Sequence, residues 1–115
     1  MKVSELIEKY GLNVFSEGTG PDLEIAGGYV SDLLSDVMGN AREDIVWITL
    51  QTHENIVAIA SLKDLAAVIL VKGLEPDEET LVRSREEDVM LLGTSMETFE
   101  MAGRLFVDLY GGNSR

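Results

Sequence analysis

The sequence predicts an α/β fold: a small, mostly parallel sheet with helices on both faces and a short N-terminal β-hairpin at the edge. Three observations within Asp44–Lys72 carry this. Ile45–Leu50 and Ala66–Val71 are apolar runs, too short for a typical helix and rich in the β-branched residues that suit a strand. Between them Glu54–Leu65 is mostly apolar and long enough for about three turns of helix. A strand, a helix and a second strand of this size form a right-handed crossover, which makes the two strands parallel. Neither run alternates with polar residues, so both are expected to be covered by protein on both faces.

The other elements follow in order. Ser4 is placed to cap a first helix whose Leu6, Ile7 and Tyr10 share one side, and Gly11 offers a left-handed stop. Asn13–Ser16 is a short strand, followed by the breakers Glu17-Gly18-Thr19-Gly20-Pro21. Leu23-Glu24-Ile25 alternates, which suggests that it pairs with Asn13–Ser16 as the hairpin. Gly27 and Gly28 allow a bulge or the close approach of another backbone. Ser31 or Asp32 then caps a helix carrying Leu33, Leu34, Val37 and Met38, which ends near Gly39-Asn40. Beyond the crossover, Asp77, Glu78 and Glu79 open an acidic helix start favoured by the helix dipole; Glu79 is spaced to pair with Arg83, and Leu81 and Val82 are its inward candidates. Val89–Leu92 reads as a third buried strand, and Thr94 or Ser95 as the cap of a last helix. That helix carries Phe99, Ala102, Phe106, Leu109 and Tyr110 as an apolar stripe ending at Gly111-Gly112. One domain over residues 1–112 is the simplest division, with 113–115 expected to fray.

Composition narrows the function. At 115 residues and 45% hydrophobic content the chain can bury roughly two-thirds of its unfolded surface, enough to fold without staples. It contains no cysteine, which excludes disulfides, thiolate metal sites and cysteine nucleophiles and fits a reducing cytoplasm. The opening MKVSELIEKYG lacks the ~7–15-residue apolar core of a signal peptide, and no run reaches the ~18 apolar residues of a membrane span. The expected location is cytoplasmic. Nine Lys and Arg against 21 Asp and Glu give a net charge of −12, which repels phosphate backbones and anionic lipid and so disfavours nucleic-acid and membrane partners.

Ligands of open parallel sheets gather beyond the carboxyl ends of the strands, where loops and helix N-termini converge. The turns predicted there offer Gly28, Ser31, Asp32, Gln51, Thr52, His53, Asn55, Thr94 and Ser95 as ligand-binding candidates. Backbone N–H groups at the helix starts add anion-binding capacity without basic side chains. Ser31, Thr52 and Ser95 also have an ordinary role as helix caps. His53 is the sole histidine and has no second ligand at metal spacing, so no metal is expected. As a general base it would need Asp32 or Glu54 to orient it and a nucleophile within reach. No phosphate-binding G-x-x-x-x-G-K-S/T loop, no G-x-G-x-x-G turn, no H-E-x-x-H and no G-x-S-x-G elbow occurs.

Asp22-Leu23-Glu24-Ile25-Ala26-Gly27-Gly28 resembles the Asp-Arg-Thr-Gly-Gly element that names the DRTGG domain. Leu23 and Glu24 stand where that element has its basic residue, and Ala26 where it has threonine. Trp47-Ile48-Thr49-Leu50-Gln51-Thr52-His53 also resembles small stand-alone members of the family, so the likeness covers nearly the whole chain. DRTGG domains are similar to the N-terminal domain of HPr kinase/phosphatase and accompany CBS domains in some regulated pyrophosphatases. The resemblance implies an α/β sandwich that self-associates, with a nucleotide-like effector and no catalytic loop of its own.

The expected function is therefore a non-catalytic regulatory or assembly module, a homodimer, binding a small nucleotide-like or phosphorylated effector at the carboxyl ends of its parallel strands, without a cofactor. The alternatives are a small hydrolase or transferase with His53 as base beside Asp32 or Glu54, and a protein-docking module using Tyr29, Met38 or the last helix.

Overall fold

The computed structural model describes residues 1–18 and 20–111; the expected fraying at 113–115 and the Gly112 stop lie outside them. Five strands form one sheet in the order β1 (Asn13–Ser16), β5 (Leu91–Gly93), β4 (Ala67–Leu70), β3 (Ile45–Thr49), β2 (Gly27–Val30). β2 through β5 are parallel, and β1 lies antiparallel on β5. The central crossover is as expected: β3 and β4 pair in parallel through α3 (Asn55–Leu62), and every residue of both strands is buried.

Alternation along these strands builds two apolar layers. Val46, Ile48, Ala67, Ile69 and Leu92 face α1 (Val3–Tyr10) and α5 (Thr98–Phe106), meeting Val3, Leu6, Met101 and Leu105. Ile45, Trp47, Val68, Leu70 and Leu91 face α2 (Leu34–Asn40) and α3, meeting Val37, Ile56, Val57 and Ala60. α4 (Glu78–Glu86) lies beside α3 on that second side. The fold class is thus a mostly parallel sheet wrapped by helices.

The hairpin is not formed. β1 pairs with β5 and β2 closes the opposite end of the sheet, while Leu23–Ile25 serves the start of α1. Val3 N–H donates to Leu23 O at 3.1 Å, Ser4 N–H to Pro21 O at 2.9 Å and Ile25 N–H to Met1 O at 2.9 Å. The physical reason is that a helix start has unsatisfied N–H groups, and this segment supplies their acceptors. α1 accordingly begins one residue before Ser4, with the Glu5 carboxylate accepting Lys2 N–H at 2.7 Å.

The inward faces of the last two helices also differ from expectation. In α4 the buried residues are Thr80 and Ser84, while Val82 is exposed. Their hydroxyls donate to Thr52 O and Leu81 O, each at 2.7 Å, and a satisfied hydroxyl can be buried at little cost. α5 starts later than its Thr94 or Ser95 cap implies, so Met101 and Leu105 turn inward and Phe99 is 91% exposed. The helix then widens into a π-helical turn, Val107–Gly111, in which Asp108 is tied to α1 by Lys9 Nζ at 2.7 Å and by the Tyr10 hydroxyl. Burial and the hydrogen bond to Asp108 push the Tyr10 phenol up to about 12. Burial opposes ionisation of Asp108, but hydrogen bonds from Lys9 and Tyr10 and the charges of Lys9 and Arg104 hold its carboxyl below the usual range. Among the described residues no helix is long and apolar enough to cross a membrane.

Candidate functional site

The crossovers from β2 to β3, β3 to β4 and β4 to β5 all step the same way across the sheet. Being right-handed, they lay α2, α3 and α4 on one face, so the loops after β2, β3 and β4 lead to the same side, while the loop after β5 leads to α5 on the other. The carboxyl ends form a rim whose polar groups tie one loop to the next.

At the β2 and β3 ends, Asp32 Oδ1 accepts from Thr49 Oγ1 at 2.8 Å and from Leu50 N–H at 2.7 Å. Gln51 Nε2 returns a bond to Asp32 O at 2.9 Å, and Gln51 N–H reaches Thr49 Oγ1 at 3.2 Å. Ser31 O accepts from the buried Trp47 indole at 2.8 Å, and Ser31 Oγ takes Leu33 N–H at 3.1 Å, an ordinary local turn bond. Tyr29 donates to Asp36 Oδ1 at 2.7 Å, which raises its phenol and, with Ser31, lowers the Asp36 carboxyl. At the β5 end Thr94 is buried and its Oγ1 accepts Met96 N–H at 3.2 Å; Ser95 beside it is exposed. Lys72, at the end of β4, donates its N–H to Met96 O at 2.8 Å and reaches Glu97 across 3.8 Å.

The α3 and α4 starts meet around an open hollow of about 650 Å³, lined by His53, Glu54, Asn55, Asp77, Glu79 and Thr80. His53 Nδ1 lies 3.0 Å from Asp77 Oδ2. The expected orienting acids are both engaged elsewhere: Asp32 in the β2–β3 tie, and Glu54 with Arg83 at 3.6 Å. This corrects the acid–base pairing, and Arg83 meets Glu54 in place of the helical Glu79 partner. The hydroxyl that lines the hollow, on Thr80, donates to Thr52 O at 2.7 Å. Among the described residues no group of three His, Cys, Asp or Glu is arranged to hold a metal ion.

Of the nine candidates, then, His53 and Asn55 share the hollow, and the Thr52 carbonyl accepts from the lining Thr80. Ser31, Asp32 and Gln51 form the β2–β3 tie, and Thr94 and Ser95 stand two strands away. Gly28 is a packing position: a Cβ there would lie 3.1 Å from Leu105 Cδ2, and one on Gly27 would lie 3.0 Å from the Tyr110 hydroxyl. The paired glycines let α5 and its π-helical end sit close on β2. Sequence reasoning missed Asp77 as the partner of His53. The signal was present, because consecutive same-handed crossovers place successive helix starts side by side, and Asp77 precedes α4 as His53 precedes α3.

No protein-family model matches the chain, and no curated protein matches it. Its fold is similar to the crystal structure of the CBS and DRTGG domains of the regulatory region of Clostridium perfringens pyrophosphatase, complexed with its activator, diadenosine tetraphosphate. The TM-score is 0.68 at 13% identity, over 92% of this chain and 46% of that one. The chain spans less than half of that neighbour, and the likeness is one of fold.

Proposed function

We propose that the chain is a non-catalytic regulatory module of the DRTGG type, one domain over residues 1–112, that self-associates and senses a small effector at the His53–Asp77 hollow. The observation that carries the reading is the use made of the rim's polar groups. Asp32, Gln51, Thr49 and Thr80 are spent on joining loops, which suits a body that transmits a change of shape. The regulatory fold of the pyrophosphatase neighbour supports the same reading.

The hollow also restricts the effector. Glu54, Asp77 and Glu79 surround His53, so a bare phosphate would meet like charge in a protein of net charge −12. A phosphorylated effector meets less repulsion there as its magnesium chelate, which carries two fewer negative charges. Thermal-shift measurements with adenine mono-, di- and dinucleotides, each with and without magnesium, test this. Saturation at 100 times Kd corresponds to about 2.7 kcal/mol of added stability. The expected result is a magnesium-dependent rise in Tm that Asp77→Ala abolishes. A flat response to every nucleotide, or a rise indifferent to Asp77, defeats the effector reading.

A further inference from the structure

We infer that the open edge of β2, with the end of α5 beside it, is the face on which a second copy of this chain docks. The inference rests on the self-association proposed above and names its surface. Among the described residues β2 pairs with β3 on one side only, and the edge Gly27-Gly28-Tyr29-Val30 carries no proline, no lysine and no bulge. Bare edges of this kind invite strand pairing, and monomers usually blunt them. The opposite edge of this sheet shows the contrast, since β1 is bulged between Val14 and Ser16.

Beside the β2 edge runs an apolar groove of about 230 Å³ floored by Ile48 and Leu105 and bordered by Val30, Phe106 and Tyr110. Those three border residues are 49%, 59% and 50% exposed. No formally charged side chain lines it, although the chain carries 21 acidic residues. Two carboxylates attached to the groove's own elements are hydrogen-bonded: Asp36 accepts from the lining Tyr29 and from Asn40, and Asp108, in the turn that carries Leu109 and Tyr110, accepts from Lys9 and Tyr10. A cationic partner would find no carboxylate in the groove lining to pair with. Two copies of an acidic chain, by contrast, repel wherever carboxylates meet, and this face is one on which they do not.

A two-fold axis perpendicular to the sheet and midway between the two copies' β2 edges sets those edges antiparallel, an isologous contact. It joins the sheets and brings each copy's Phe106 and Tyr110 toward the other's on the same side of the extended sheet. The glycines that admit α5 so close to β2 are what place these aromatics at the edge.

Sedimentation velocity at tens of micromolar tests the surface, with circular dichroism confirming that each variant is folded. Val30→Lys and Phe106→Asp alter exposed side chains bordering the groove; Phe99→Asp alters a more exposed aromatic outside it. The expected result is a wild-type dimer, at least a tenfold weaker dimer for each of the first two variants, and an unchanged dimer for the third. A wild-type monomer overturns self-association itself, and one that takes up an added apolar strand peptide at β2 assigns the edge to a foreign segment instead. A dimer indifferent to both groove substitutions overturns this surface while leaving self-association and effector binding standing.

Discussion

Asp32→Ala separates a structural tie from a ligand-contacting residue. The Asp32 carboxylate accepts two hydrogen bonds, from Thr49 Oγ1 and Leu50 N–H, and Thr49 is buried. Hydrogen bonds to an ionised acceptor contribute ~1.5–3 kcal/mol each. Asp32 is itself exposed, so water recovers part of the loss and the expected cost is about 2 kcal/mol for the pair. Urea unfolding can be followed by the fluorescence of Trp47, the single tryptophan, which is fully buried and donates to Ser31 O beside the substitution. With a urea slope of ~1–3 kcal/mol/M, the midpoint should fall by roughly 1 M while the slope stays unchanged. Asp32→Asn keeps one acceptor oxygen in place and should recover more than half of the loss. An alanine variant whose midpoint stays within ~0.2 M of wild type would show that the tie contributes little, and the account of the rim as a set of load-sharing joints would be wrong.

Three further outcomes follow from the same geometry. A Cβ on Gly18 would stand 2.8 Å from both Asp88 O and Met90 N, which are backbone and cannot turn aside, so Gly18→Ala should cost ~1–3 kcal/mol in chemical denaturation; Gly103→Ala, on the open side of α5, should add up to ~1 kcal/mol. Asp88 adopts φ 57° at the entrance to β5, so Asp88→Gly should change Tm little while Asp88→Val loses ~1–2 kcal/mol; equal effects would discount backbone strain there. The Tyr10 phenol, at about 12 when folded, lies above its unfolded value near ~10. Its contribution to stability is whole below the unfolded value and disappears as pH rises through the folded one. Titration of phenolate absorbance should show Tyr10→Phe deleting the late-ionising component, and deletion of an ordinary one would refute the Asp108 clamp.

Much of the fold was legible because burial on both faces leaves a plain mark in a chain. Ile45–Leu50 and Ala66–Val71 are largely apolar runs, and an amphipathic α1 and a crossover helix follow from local spacing alone. The hairpin was misread because strand alternation in Leu23–Ile25 specifies a half-buried extended segment but not its partner. The choice fell to the α1 start, which needed acceptors, and to β5, which offered β1 an edge. Thr80 and Ser84 were likewise invisible as core residues, since a hydroxyl becomes buriable only when a carbonyl lies within reach.

What the sequence by itself determined is the parallel centre, its acidic surface and the cluster of polar residues at the strand ends, all of which depend on neighbours along the chain. The tertiary structure decided which of those residues meet. It brought His53 to Asp77 across 24 positions, turned Asp32 and Gln51 toward each other, and set β2 at the end of the sheet. Those pairings depend on the direction in which each crossover steps, and that is set by how helices cover the sheet as a whole, a property no local window of residues contains.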